Sequence, residues 1–378
     1  MKKSLFGAFP GARYIGKEEL NSVASVIRAR SPYRFYGLDL KNKVESLENN
    51  CCRSFGRKYA LALSSGTAAL HAALFSIGVS EGDEVIIPAY GWISNLMPIL
   101  ALGAIPVIVP VDGGLGLDTS LLEKAISKRT KAIIAVHMRG YPCDLKSILK
   151  ISRRYDVSVI EDGAQCLGGV VGGMRVGTLG DISIFSFQYN KLVTCGEGGM
   201  LLTNRKNLYN RAYRFHDLGM FRHAGKEDPR GYSAIASFGL NYRMSELQAA
   251  FLIPQLRKTS RILRGLKISH KNAVQKMKPL CDRFLLTEIP LPLNSKANHA
   301  FLCLKAENGE SAAMAQKALC RLGIPAHRAH DLDGHNFKIW KDYLVREKKR
   351  YRLLNPRKSE DVLERSIFIE MASVAMEK

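Results

Sequence analysis

The sequence predicts an α/β protein: a largely parallel sheet covered by helices on both faces, followed by a smaller α+β unit. Three observations carry this. Short apolar runs alternate with helical stretches across residues 58–203. Around Leu240 the pattern becomes helix-rich and then mixed. At 378 residues the chain is long for one core, so two domains are expected, 1–255 and 256–378.

In order along the chain, Tyr59–Leu63 is apolar and short enough for a strand, and a Ser64-Ser65-Gly66-Thr67 turn leads into a helix over Ala68–Ile77. Glu84–Pro88 is the next strand, with a helix over Ile93–Leu102 after it. Ile105–Val109 is β-branched, Ser120–Ile126 helical and Lys131–Val136 a buried strand. Asp144 is a good N-cap for a helix to Tyr155. Val157–Ile160, Asp181–Phe187 and Met200–Thr203 complete the strands of this half. Met244 to Met277 is helix-rich and links the halves. Beyond residue 280, Phe301–Leu304 reads as a strand and Ala312–Leu322 as a helix ending at Gly323.

Composition narrows the classes. Apolar content of 46% and charged content of 24% are those of a globular protein. No apolar run reaches the roughly 20 residues a membrane span needs. The start, Met-Lys-Lys, is soon interrupted by Gly, Pro and Arg, unlike a secretory leader. None of the eight cysteines forms a CxxC pair, which argues against a zinc ribbon and for reduced thiols in the cytoplasm. His327, His330 and His335 lack a ligand pattern around them, so no metal is expected. The net charge of +22 attracts polyanions, either to steer anionic substrates or as general basicity, and the second reading is favoured. No zinc-finger or aromatic-interleaved RNA motif accompanies it, so no specific nucleic-acid partner is expected.

Four segments carry chemistry. A strand, the Ser64–Thr67 turn and a helix would present free N–H groups and a positive dipole end to a phosphate, with Gly66 allowing close approach and Thr67 adding a hydroxyl. Any strand–turn–helix can also use Ser and Gly structurally. In Ile160-Glu161-Asp162-Gly163-Ala164-Gln165, an acid ends a buried parallel strand, where open α/β sheets bind ligands. Asp162 would pair with a protonated pyridine nitrogen and Gln165 with a ring hydroxyl, or Asp162 is a helix N-cap. Lys191 follows a buried strand and precedes Gly196-Glu197-Gly198-Gly199. Such a lysine loses hydration and becomes a neutral amine able to form a Schiff base, with Ser186 reaching a phosphate; otherwise it is exposed like most lysines. Trp92 would stack on a flat heterocycle, or fill the core. The Gly-rich stretch Gly168–Gly180 fails as a dinucleotide fingerprint because a strand follows where a helix is needed.

Together these segments resemble the sugar aminotransferases of the DegT/DnrJ/EryC1/StrS family over about residues 10–260. The resemblance rests on Ser65-Gly66-Thr67-Ala68-Ala69-Leu70, Gly82-Asp83-Glu84-Val85, Glu161-Asp162-Gly163-Ala164-Gln165, Gly180-Asp181, Ser186-Phe187 with Lys191, Gly196-Glu197-Gly198-Gly199 and Asn241-Tyr242-Arg243-Met244-Ser245-Glu246, in matching order and spacing. It implies the fold of pyridoxal-phosphate transferases of type I: a large domain with a mostly parallel seven-stranded sheet and a small C-terminal α+β domain. It implies Lys191 as the Schiff-base lysine, Asp162 on the pyridine nitrogen, Gln165 on the ring hydroxyl and Trp92 stacking. Gly66, Thr67 and Ser186 match phosphate contacts, and Asn241 a contact from the second subunit of a two-fold homodimer. Glutamate or glutamine would supply the amino group to a keto-sugar.

The sequence departs from the family at three places. Gly163 stands where Ala is usual and Gly91 where a hydroxyl residue is common, both read as packing changes. His330-Asp331-Leu332-Asp333-Gly334-His335 differs from the usual sugar-pocket segment. His137-Met138-Arg139-Gly140 and Phe187-Gln188 look more like a subgroup acting on free or acidic sugars and cyclitols, including makers of 8-amino-3,8-dideoxy-octulosonate. Two rivals are a sugar dehydratase using the same cofactor, in which histidine replaces the lysine, and a basic nucleic-acid-binding regulator, which lacks a preceding helix-turn-helix.

Overall fold

The structure, a computed structural model, describes residues 9–222, 232–235, 237–329 and 334–371. Its centre is an eight-stranded sheet in the order Tyr59–Leu63, Gly199–Thr203, Ile182–Ser186, Ser158–Asp162, Thr130–Val136, Glu84–Pro88, Ile105–Val109 and Arg352–Leu353. Neighbours pair in parallel, except that Gly199–Thr203 runs antiparallel to both of its partners. The strands are apolar on both faces because helices cover both. Ile86 and Ile133 pack into one buried cluster, and Val85, Ile87 and Ile134 into the other.

Two expectations need correction. The resemblance implies seven strands, but Arg352–Leu353 adds an eighth, beside Val107 and Ile108. The physical reason is the buried carboxylate of Glu84, which accepts from Arg352 Nη1 at 2.7 Å and draws this segment onto the sheet edge. The helix expected over Ile93–Leu102 is a 3₁₀ turn, Ile93–Asn95, and then a short helix, Met97–Ala101. Pro98 lies in the first turn of that helix, where its missing N–H costs least.

Two consecutive helices, Glu246–Arg257 and Thr259–Arg283, lead from this sheet to a second one. That sheet is antiparallel, ordered Thr287–Glu288, Phe301–Lys305, Ser366–Glu370, Ala326–Arg328. Helix Gly309–Arg321 is followed by Gly323 at φ +76°, a left-handed position that suits glycine. Among the described residues no helix is long and apolar enough to cross a membrane. The eight cysteines are all free.

Candidate active site

The residues singled out in the sequence converge on the C-terminal ends of the parallel strands. Strand Tyr59–Leu63 leads into the Ser64–Thr67 turn, and Ser65 caps the helix Gly66–Ile77 by accepting from the Ala68 N–H at 3.0 Å. That leaves the N–H groups of the first turn free for an anion. Ser186 ends the strand Ile182–Ser186 directly against this turn: a Cβ on Gly66 would sit 2.8 Å from the Ser186 Cβ. Gly66, Thr67 and Ser186 are thus brought together, with Thr67 exposed.

Asp162 is buried at the end of Ser158–Asp162. No helix follows, so the N-cap alternative fails; Oδ1 closes a turn by accepting from the Ala164 N–H at 3.0 Å. Oδ2 accepts from Asn95 Nδ2 at 2.7 Å. Burial raises the Asp162 pKa against the opposing pull of these two donors. Asn95 is not evident from the sequence, where it is one of two polar residues, with Ser94, in the otherwise apolar stretch Ile93–Leu102. Gly91 makes room for it, since a Cβ there would lie 2.7 Å from Asn95 Oδ1. The departure at Gly91 therefore reaches a partner of Asp162. At Gly163 a Cβ would meet the Phe185 ring at 2.6 Å, a matter of packing.

Lys191 sits in the turn after strand Ile182–Ser186, its N–H donating to the Gln188 carbonyl at 3.0 Å. It is partly buried, so the fully exposed alternative fails. Its pKa is pulled down to about 8, first by burial and further by the charge of Arg139, while Asp162 and Glu197 oppose the shift. The N-terminal segment seals this turn: the Gly11 N–H donates to the Lys191 carbonyl at 3.3 Å, and Phe9 meets Tyr189 edge-on.

Gln165 Oε1 accepts the backbone N–H of Arg139 at 3.1 Å. Trp92 is not a core residue; it is 46% exposed, with its ring centroid 4.7 Å from that of His335. Asn241 is exposed, its backbone bridged to Asp217. Gly334 and His335 are described, whereas 330–333 lie outside the described residues, and with them His330 of the three-histidine group. Among the described residues no group of three His, Cys, Asp or Glu is placed to hold a metal.

Behind Asp162 stands a second carboxylate. Glu161, on the opposite face of the strand, is buried and accepts from the N–H groups of Gly177, Leu179 and Gly180 and from Ser183 Oγ, at 2.7 to 3.1 Å. His137 Nε2 faces it at 3.2 Å, while the Cys143 N–H donates to Nδ1, which places the histidine proton on the Glu161 side. Burial would raise the Glu161 pKa, but His137 and these N–H groups hold it down to about 2. The backbone N–H of His137 donates to the Asp162 carbonyl at 3.1 Å. The Gly168–Gly180 stretch is thus a cradle for a protein carboxylate, consistent with its failure as a dinucleotide motif.

The fold is that of the type I pyridoxal-phosphate aminotransferase structures. Residues 14–372 match the DegT/DnrJ/EryC1/StrS aminotransferase family, and the chain belongs to that family. It is 41% identical over 217 residues to a GDP-perosamine synthase from Escherichia coli O157:H7, a match spanning 57% of this chain and 57% of that protein. Among solved structures it is similar to an aminotransferase from Psychrobacter cryohalolentis, at TM-score 0.83 and 23% identity over 96% of this chain and 93% of that one. An E. coli GDP-4-keto-6-deoxy-D-mannose-3-dehydratase solved with hydrated PLP is similar in fold, at TM-score 0.81 and 22% identity over 96% and 94%.

Proposed function

We propose that this enzyme moves an amino group from glutamate or glutamine to a keto-sugar, with Lys191 carrying the cofactor. The observation that carries the reading is a partly buried lysine of lowered pKa in the same cleft as a buried carboxylate of raised pKa. Pyridoxal phosphate fits this set. Asp162 still has lone pairs to offer a protonated ring nitrogen after Asn95 and Ala164 have taken theirs. The helix N-terminus at Gly66 and Thr67, with Ser186 against it, suits the phosphate. When bound, the group supplies an aldehyde for amines and an electron sink beside the reacting carbon.

The chain's own residues do the rest. The neutral Lys191 amine would hold the group through its aldehyde and would take and return a proton at the substrate carbon. Asp162 keeps the ring nitrogen protonated. Gln165, anchored through the Arg139 N–H, would meet the ring hydroxyl, and Trp92 would stack on the ring. Asn241, exposed in one chain, reaches the phosphate of a second copy in a homodimer; a solution mass of a single chain would contradict that part.

The acceptor is a nucleotide-linked keto-deoxysugar, as the likeness to a GDP-perosamine synthase supports, or a free acidic keto-sugar such as an 8-oxo-octulosonate, as the His137–Gly140 segment supports. Products of either kind serve cell-surface polysaccharide or antibiotic sugar synthesis in the cytoplasm. The presence of Lys191 argues against the dehydratase alternative. The test is to load the protein with pyridoxamine phosphate and screen keto-sugars by the cofactor spectrum. Acceptors restore the aldehyde form, whereas restoration by no keto-sugar contradicts the reading.

A further inference from the structure

Arg139 is a buried cation without a counter-charge. It is 9% exposed and lies in the turn leaving strand Thr130–Val136. Its φ of +54° is one that long side chains rarely adopt. The rings of Phe301 and Phe368, from the two central strands of the small sheet, lie 5.0 and 5.3 Å from its Cζ. Nε and Nη2 both turn to the hydroxyl of buried Tyr90, each at 3.4 Å, which is long for a charge-assisted bond. Among the described residues no carboxylate pairs with Arg139, and Nη1 has no hydrogen-bond partner, although it keeps contact with solvent.

A guanidinium this buried is costly unless an anion meets it. The turn belongs to the site, since the Arg139 backbone N–H holds Gln165, three residues beyond Asp162, and the guanidinium lies near enough for its charge to reach Lys191. Nearby Asp162 is already engaged by Asn95 and Ala164. The open edge of the planar fork is suited to two parallel bonds to one carboxylate, and Tyr90 Oη can donate a third. A phosphate is better served by the helix end at Gly66.

We propose that Arg139, with Tyr90, is the carboxylate anchor of this site, binding the carboxylate of a reactant. That reactant is the amino donor or an acidic keto-sugar, so the choice between them rests on the aminotransferase reading, while the anchor itself does not.

The experiment is calorimetric titration of the holoenzyme with glutarate, a donor-like diacid, and with gluconate, a sugar acid. The wild type binds at least one of them, and which one binds names the source of the carboxylate. Arg139→Gln weakens that binding about a hundredfold and Arg139→Lys recovers part of it. The uncharged analogue glutaramide binds both forms equally poorly. Arg139→Met leaves the melting temperature unchanged or higher, because it removes an uncompensated buried charge, whereas a purely structural arginine would lower it. Equal acid binding by wild type and Arg139→Gln, or no acid binding by the wild type, overturns the proposal. Arg139-dependent acid binding in a protein that accepts nitrogen from no donor would retain the anchor and sink the aminotransferase reading.

Discussion

In the proposed reaction, Lys191 acts through its proton. With a pKa near 8 rather than the ordinary 10.5, a useful fraction of the amine is neutral at physiological pH. Protonated amine cannot attack an aldehyde, so condensation of added pyridoxal phosphate with the apoprotein should accelerate as pH rises through about 8 and level off above it. Asp162 favours the protonated lysine, so Asp162→Asn should move that rise to lower pH. Stopped-flow absorbance at the cofactor band checks both, and a midpoint near 10.5 would show the amine to be unperturbed. Lys191 and Asp162 are legible in the sequence because Asp162 ends an apolar strand and Lys191 stands in the turn after one, where a charge needs a reason. Asn95 and the exposed position of Trp92 are not, since both depend on what the turn after Pro88 packs against.

At the scale of elements, Glu161 joins three of them: the strand Ser158–Asp162, the turn carrying His137 and the Gly177–Gly180 loop. Its folded pKa of about 2 lies below the usual 4.5, so its contribution to stability is present above 4.5 and is lost as pH falls toward 2. Glu161→Gln leaves these N–H donors and His137 partly unmet and should cost about 3 to 5 kcal/mol. Acid unfolding of that variant should also be flatter across this window. Urea titrations at pH 7 and pH 3.5 test this; an unchanged midpoint at pH 7 would show the cradle to be dispensable. The strands were readable from apolar runs alone, because both faces of this sheet are buried. The stretch Ile93–Leu102 is helical in composition apart from Asn95 and Pro98, and these two divide it into two short pieces.

At the scale of the molecule, the α/β architecture and a smaller α+β unit are legible in the sequence, but the antiparallel pairing within that unit and the eighth strand of the large sheet are not. Arg352–Leu353 is only two residues long and comes from beyond the second sheet's first strands, so no local pattern announces it. Its cause is a pairing between Arg352 and Glu84 that are far apart in sequence. Bringing such distant segments together is also what builds the cleft, because the strand ends at Ser64, Asp162 and Ser186 meet only once the sheet has formed. The account therefore stands on a single covalent attachment in the assembled protein. Borohydride reduction of the holoenzyme followed by peptide mass mapping tests it most directly. The account predicts one pyridoxyl group per chain, on the peptide bearing Lys191; a label on a different lysine, or none, would contradict it.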